Sequence, residues 1–151
     1  MRLGSLTRPE LIVPDLPAAD RAEVLRVFAD RLAGRGLVSS GAELFQRLWE
    51  REQLGSTGIG SGIAIPHCKL QGLAHGIVAV GLVPEGVDFA AADGRPVKVL
   101  FLVISPIGSP AEHLQVLAAI SRWVRADHHA ERILAVREPE QVYDLLRDET
   151  S

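Results

Sequence analysis

The sequence predicts an α/β fold: a single-domain sandwich in which a central mixed β-sheet is flanked by helices on both faces. Three observations carry that expectation. Two amphipathic helical stretches lie between residues 20 and 54, two strongly apolar runs follow at Ile77–Val83 and Val97–Ile104, and helical periodicity returns after residue 109. Runs so apolar read as strands buried on most sides. Strands placed between two blocks of helices bury both faces by packing helices on each. Periodicity leaves the strand order open.

The elements follow in chain order. Residues 1–8 read as a loose start, and the domain is expected to span residues 8–148. Leu11-Ile12-Val13 reads as a short edge strand stopped by Pro14. From Asp20 onward, Val24, Leu25, Phe28 and Leu32 share one helical stripe, which Gly34 and Gly36 end. Ser40 with Glu43 three residues on forms a capping-box pattern, and Leu44, Phe45, Leu48 and Trp49 give that second helix its apolar face. It should fade between Arg51 and Leu54, before Gly55. Between the two apolar runs, Gly86–Phe89 is a candidate short strand and Asp93-Gly94 a turn. Ser109, Pro110 and Glu112 have the order of an N-cap, a first helical residue and a second capping box. Leu114, Leu117, Ile120 and Val124 are expected to face inward. Asp127 should start a short helix with Ile133 and Leu134 inward, and Pro139 a last one with Val142, Leu145 and Leu146 inward.

Composition narrows the function classes. The chain has 151 residues, 47% of them hydrophobic, enough for one domain that buries about 68% of its unfolded surface. One cysteine excludes an internal disulfide and agrees with a reducing compartment. No stretch has the form of a signal peptide, and the longest apolar run is far too short for a bilayer span. A soluble, cytoplasmic protein without membrane insertion is expected. The net charge is −3 and aromatics make up 5%, so nothing resembles a basic, aromatic-studded nucleic-acid surface.

The densest local signal is "GIGSGIAIPHCK", residues 58–69. Glycine permits positive φ and close backbone approach, and proline biases the residue before it toward extended geometry. Ile65 should therefore end a strand, with His67 aimed from a stiff backbone just past that end. The glycines would leave room for a partner, and their bare N–H groups could bind an anion. On the loop alone, a tight turn with an incidental histidine is the simpler reading.

A longer pattern separates these readings. Glu52, six residues, then Ile59-Gly60-Ser61-Gly62-Ile63-Ala64-Ile65-Pro66-His67-Cys68 resembles the signature of the type-2 EIIA domains of the bacterial phosphoenolpyruvate-dependent sugar phosphotransferase system, the fructose, mannitol and nitrogen-regulatory EIIA family. The resemblance covers about Leu11 to Leu146. It implies that His67 is the phosphate carrier. The family's arginine sixteen residues before that histidine matches Arg51, and its second active-site histidine, forty-six residues after, matches His113. "REQLGSTGIGSGIAIPH" is most similar to the stand-alone nitrogen-type branch. Cys68 stands where the family usually has glycine.

The resemblance implies a phosphoryl group accepted from an HPr-like phosphocarrier and passed to a downstream EIIB, or used as a switch toward a regulatory target protein. Neutral imidazole is the nucleophile such a step needs, and histidine with an ordinary pKa near 6.5 is largely neutral at cytoplasmic pH. Catalysis is then mostly positioning and fixed positive charge. Arg51 is assigned that charge, with Lys69 read as solvated. His113, in the first turn of its helix and at the edge of the buried stripe, is given a supporting hydrogen bond, and the positive helix end should keep it neutral. Ser56, Thr57 and Ser61 are read as turn formers, His128 and His129 as solvent-facing, and His75 as a loop residue. A metal site wants further ligands, and no cofactor or metal is expected. The alternative is a degenerate EIIA-like binding or regulatory module that is never phosphorylated.

Overall fold

The computed structural model describes residues 2–17 and 19–147. The expected domain end at 148 lies outside the described residues. Six strands form one mixed sheet: β1 (Ile12–Val13), β2 (Gly58–Gly60), β3 (Ile63–Ala64), β4 (His67–Leu70), β5 (Ile77–Val87) and β6 (Val97–Pro106). The order across it is β1-β5-β6-β3-β2, with β4 also on β6. β5 and β6 are antiparallel, whereas β1 on β5 and β3 and β4 on β6 are parallel.

Helices cover both faces, as expected. α1 (Arg21–Gly34) and α2 (Gly41–Gln53) close one side, and α3 (Pro110–Arg125), α4 (His129–Leu134) and α5 (Pro139–Arg147) the other. Alternation along β6 sorts the two cores. Leu100, Leu102 and Ile104 pack with Leu25, Phe28, Leu32, Leu44 and Leu48. Val99, Phe101 and Val103 pack with Val116, Ile120, Trp123, Ile133, Val142 and Leu146. Each such side chain contributes about 1.5–3 kcal/mol of burial. Gly81 in β5 leaves room for Leu16 and for Phe28 of α1, since a Cβ there would meet Leu16 Cδ1 at 2.5 Å and Phe28 Cε2 at 2.8 Å.

α1 and α2 are capped by Asp20 and Ser40, which accept the Glu23 and Glu43 N–H groups at 2.8 and 3.1 Å. The second expected box does not form. Ser109 lies at φ −125, ψ 56, outside the extended geometry a capping side chain uses, and its side chain makes no cap bond. The buried stripe of α3 is also rotated from expectation. His113, Val116, Ile120, Trp123 and Val124 face inward, so Leu114, next to His113, is turned outward and is 66% exposed.

Other departures have local causes. Residues 3–8 are not loose: Leu3 is buried in the α3/α5 core, and the Leu6 carbonyl accepts the Val78 N–H at 2.9 Å. Gly86 and Val87 extend β5 past a register shift and form no separate strand. Asp127 and His128 take φ of 48 and 57, and that left-handed turn delays α4 to His129. His129 is not solvent-facing. It is buried, stacked on Trp123 at 4.2 Å, with Nδ1–H donated to the Trp123 carbonyl at 2.7 Å. His128 is exposed and paired with Glu131, and His75 lies in the exposed loop before β5, both as expected.

Candidate functional site

β3 and β4 are one strand interrupted. Ile63 pairs with Val99 and His67 with Val103, the same offset on both sides of Ile65–Pro66. The Pro66 carbonyl accepts the Val103 N–H at 2.9 Å and carries the register across the gap. His67 is therefore the first residue of a resumed strand, not a residue just past a strand end. Side chains alternate along it, so Cys68 points into the α1/α2 core while His67 stands at the sheet edge.

Two helix ends converge on that ring. α2 delivers Arg51 in its last turn, and α3 delivers His113 in its first. The Arg51 Nε–H donates to His67 Nε2 at 3.2 Å, and its Nη1 donates to the Gly55 carbonyl at 2.8 Å. His67 Nδ1 lies 2.8 Å from the Ile65 carbonyl. A carbonyl only accepts, so Nδ1 carries the proton and Nε2 the lone pair. Burial pushes the His67 pKa below its usual value, the Ile65 bond opposes that, and the Arg51 charge adds to the lowering.

His113 lies beside it, with ring centroids 5.5 Å apart. It is 5% exposed, and its Nδ1 meets the buried Ser105 hydroxyl at 2.7 Å. Its pKa falls to about 4, first through burial and then through the nearby His67 and Lys69 charges. The expected neutrality is present, and burial is its main cause. Lys69 is exposed, two residues along β4. The three expected site residues, Arg51, His67 and His113, thus meet at one point.

The glycine-rich segment does a different job from the one expected. Ser61 and Gly62 form the β2–β3 turn with φ of 58 and 80, the positive values a tight hairpin requires. The Ser61 N–H donates to Asp93 Oδ2 at 2.9 Å and the Gly58 N–H to Ser56 Oγ at 2.9 Å, so these donors are occupied within the chain. Gly60 and Ser61 line a cleft of about 540 Å³ with Val124, Arg125 and His128, not the His67 site. The missing side chain at Gly58 admits Ala91, whose Cβ would lie 3.0 Å away, and not a partner.

A second set of polar residues was read in the sequence only as turn formers, Ser56 and Thr57, or as the unassigned first residue of the signature, Glu52. Glu52 is 3% exposed. Its Oε2 accepts the Thr57 N–H at 2.9 Å, its Oε1 accepts the Thr57 hydroxyl at 2.7 Å, and Arg21 Nη1 approaches Oε2 at 3.4 Å. Ser56 donates its hydroxyl to the Phe89 carbonyl. Leu44, Leu48 and Glu52 are spaced by four, which puts the glutamate on the buried stripe of α2. Ser105 likewise interrupts the end of an apolar run. Those phases were the available signals.

Cys68 is buried, and burial pushes its pKa up to about 12. Among the described residues, no group of three or more His, Cys, Asp or Glu is placed to hold a metal ion. No described helix is long and apolar enough to cross a membrane.

The profile of the family described as "Phosphoenolpyruvate-dependent sugar phosphotransferase system, EIIA 2" matches residues 5–149. A nitrogen regulatory protein of Pseudomonas aeruginosa is 36% identical over 149 residues, 98% of this chain and 96% of that one. A PTS system fructose-specific EIIA component of Haloferax volcanii is 32% identical over 146 residues, 97% of this chain and 95% of that one. The crystal structure of nitrogen regulatory protein IIA-Ntr from Neisseria meningitidis superposes with a TM-score of 0.84 at 31% identity, covering 95% and 97% of the two chains. Fold, matched length and identity agree, and the chain belongs to the type-2 EIIA family of the phosphoenolpyruvate-dependent sugar phosphotransferase system.

Proposed function

We propose that the protein is a cytoplasmic phosphohistidine carrier, accepting a phosphoryl group on His67 Nε2 from an HPr-like phosphocarrier. The observation that carries this reading is the state of one ring: Nδ1–H is held by the Ile65 carbonyl, and the lone pair of Nε2 faces Arg51. In the transfer, that lone pair forms the new N–P bond. The electron pair of the donor's N–P bond returns to the donor's imidazole. No proton crosses between the proteins, because positive charge developing on His67 is shared through Nδ1–H with the Ile65 oxygen.

Arg51 has to leave the lone pair as phosphorus arrives, and its planar fork then faces phosphoryl oxygens. The transition state is loose, with charge on those oxygens, so a fixed guanidinium lowers the barrier. His113 is kept neutral near pH 7. With Nδ1 accepting the Ser105 hydroxyl, its Nε2–H is left to donate to a phosphoryl oxygen. Leu54, three residues after Arg51, is 83% exposed, and Leu114 beside His113 and Ile107 just past Ser105 are exposed as well. Apolar side chains flanking a charged centre suit a protein donor.

The same face serves onward transfer to a downstream EIIB or, alternatively, a regulatory target that distinguishes charged from uncharged His67. Relatives named for nitrogen regulation and for fructose match over nearly the same length, and the site chemistry suits both uses. The test mixes the protein with phosphoenolpyruvate, the relay's first enzyme and HPr. Acid-labile phosphate is expected on the wild type and none on His67→Ala. A wild type that stays unphosphorylated would reduce the protein to a binding module with this fold.

A further inference from the structure

We infer that Glu52 is a positioning residue for the nucleophile: by taking the Thr57 amide proton it leaves the Ile65 carbonyl free to hold Nδ1–H of His67. The consequence for phosphoryl transfer rests on the carrier reading above. The geometric claim stands apart from it.

The register makes the argument. Gly58 pairs with Ala64 in the antiparallel β2–β3 hairpin, so Thr57 and Ile65 are the next pair along. The Ile65 N–H donates to the Thr57 carbonyl at 2.9 Å, which makes this a hydrogen-bonded pair. Such a pair normally exchanges two bonds, each residue's N–H going to the other's carbonyl. Here the second bond is absent. The Thr57 N–H goes instead to Glu52 Oε2 at 2.9 Å, and the Ile65 carbonyl accepts His67 Nδ1–H at 2.8 Å. A buried carboxylate has taken one donor out of a ladder, and the freed acceptor fixes the histidine tautomer.

The Thr57 hydroxyl donates to Oε1 at 2.7 Å, so both carboxylate oxygens are bonded. Arg21 Nη1 lies 3.4 Å from Oε2 and the same distance from the Phe89 carbonyl, which ties the carboxylate to the start of α1. Arg51 and Glu52 are consecutive, so the last turn of α2 addresses both ring nitrogens. Arg51 reaches Nε2 directly, and Glu52 reaches Nδ1 through Thr57 and Ile65. Without the carboxylate, the Thr57 N–H would close the ladder onto the Ile65 oxygen and compete with the ring. His67 would then sample both neutral tautomers, one of which has no lone pair at Nε2.

Reach, not charge, is the operative property, and two variants separate them. Glu52→Gln keeps an oxygen for the Thr57 N–H and removes the charge. Glu52→Asp keeps the charge and withdraws the oxygens by one methylene. Ring ¹⁵N chemical shifts of His67 in the full chain at pH 8 report which nitrogen is protonated. The Nδ1–H pattern is expected in the wild type and in Glu52→Gln, and shifts toward a mixture of tautomers in Glu52→Asp. Thr57→Val, which spares the amide bond, should keep the wild-type pattern and so controls for general loosening. Phosphorylation by HPr should be about tenfold slower in Glu52→Asp and within about threefold of wild type in Glu52→Gln. An unchanged tautomer in Glu52→Asp overturns the inference, as does a mixture in Glu52→Gln or Thr57→Val. If no phosphate reaches wild-type His67, the carrier reading falls while the ring shifts still decide the role of Glu52.

Discussion

Replacing Arg51 with alanine should slow phosphorylation of His67 by about 10²-fold and leave the fold intact. Removing one preorganised donor from a developing oxyanion costs about 2.7–4 kcal/mol. Arg51 is half-buried, so solvent screens part of its charge, and the lower end of that range applies, about two decades in rate. Its structural contribution is small. The bond to the Gly55 carbonyl is solvent-exposed and the one to His67 is 3.2 Å long, which together stabilise the fold by less than about 1.5 kcal/mol. Arg51→Lys keeps the charge but loses the planar fork, and should fall between, about tenfold down. The assay is single-turnover transfer of radiolabelled phosphate from phosphorylated HPr, quenched in alkali, with urea unfolding of each variant alongside. Transfer by Arg51→Ala within about threefold of wild type would refute the role. So would a rate loss that simply tracks lost folded protein.

Three further outcomes follow from other parts of the molecule. His113 titrates at about 4 when folded and near 6.5 when unfolded. As pH falls through that window the unfolded chain takes the proton first, so stability present above 6.5 is lost toward 4, by up to about 3 kcal/mol. Urea unfolding at intervals from pH 7 to 4 should give a shallower loss for His113→Gln, and equal slopes would contradict the depressed value. Gly81→Ala should destabilise the protein by about 1–3 kcal/mol, because its Cβ would lie 2.5 Å from Leu16 Cδ1 and 2.8 Å from Phe28 Cε2; a melting temperature equal to wild type would show that these two side chains give way freely. Cys68, buried and raised to about 12, should react with a disulfide reagent only as fast as the chain opens, and full labelling of native protein within the mixing time would be inconsistent with its place in the core.

Much of the fold was legible because its strongest signals are local. The runs at 77–83 and 97–104 are too apolar for any surface, and they became the two central strands. Ser40 capped α2 as its spacing said. Signals that depend on tertiary context were harder to read. In α3 the apolar residue Leu114 suggested one phase, but the sheet accepted His113 and Val116, leaving Leu117 only partly buried. His129 looked polar and exposed until Trp123, six residues away, supplied a ring to stack on. Arg51, His67 and His113 were legible only through a family pattern. Their meeting depends on β4 resuming in register after Pro66, and no local propensity encodes that.

On the carrier reading proposed above, two demands on His67 pull against each other until the charges are placed. A nucleophile must be unprotonated before transfer, and the same position must then welcome a doubly charged phosphoryl group. Positive charge serves both ends. Arg51 and Lys69 disfavour the imidazolium, and the same charges attract phosphoryl oxygens once the bond forms. Negative charge would fail twice, and Glu52 does bias the ring toward protonation. Its carboxylate is buried on the far side of Thr57, bonded to two donors and approached by Arg21. Its charge still reaches the ring, where the larger opposing effect of Arg51 outweighs it. On that reading, a cation at Nε2 and an indirectly linked carboxylate behind Nδ1 would make one tautomer the better nucleophile, and neither residue would have to exchange a proton in the transfer.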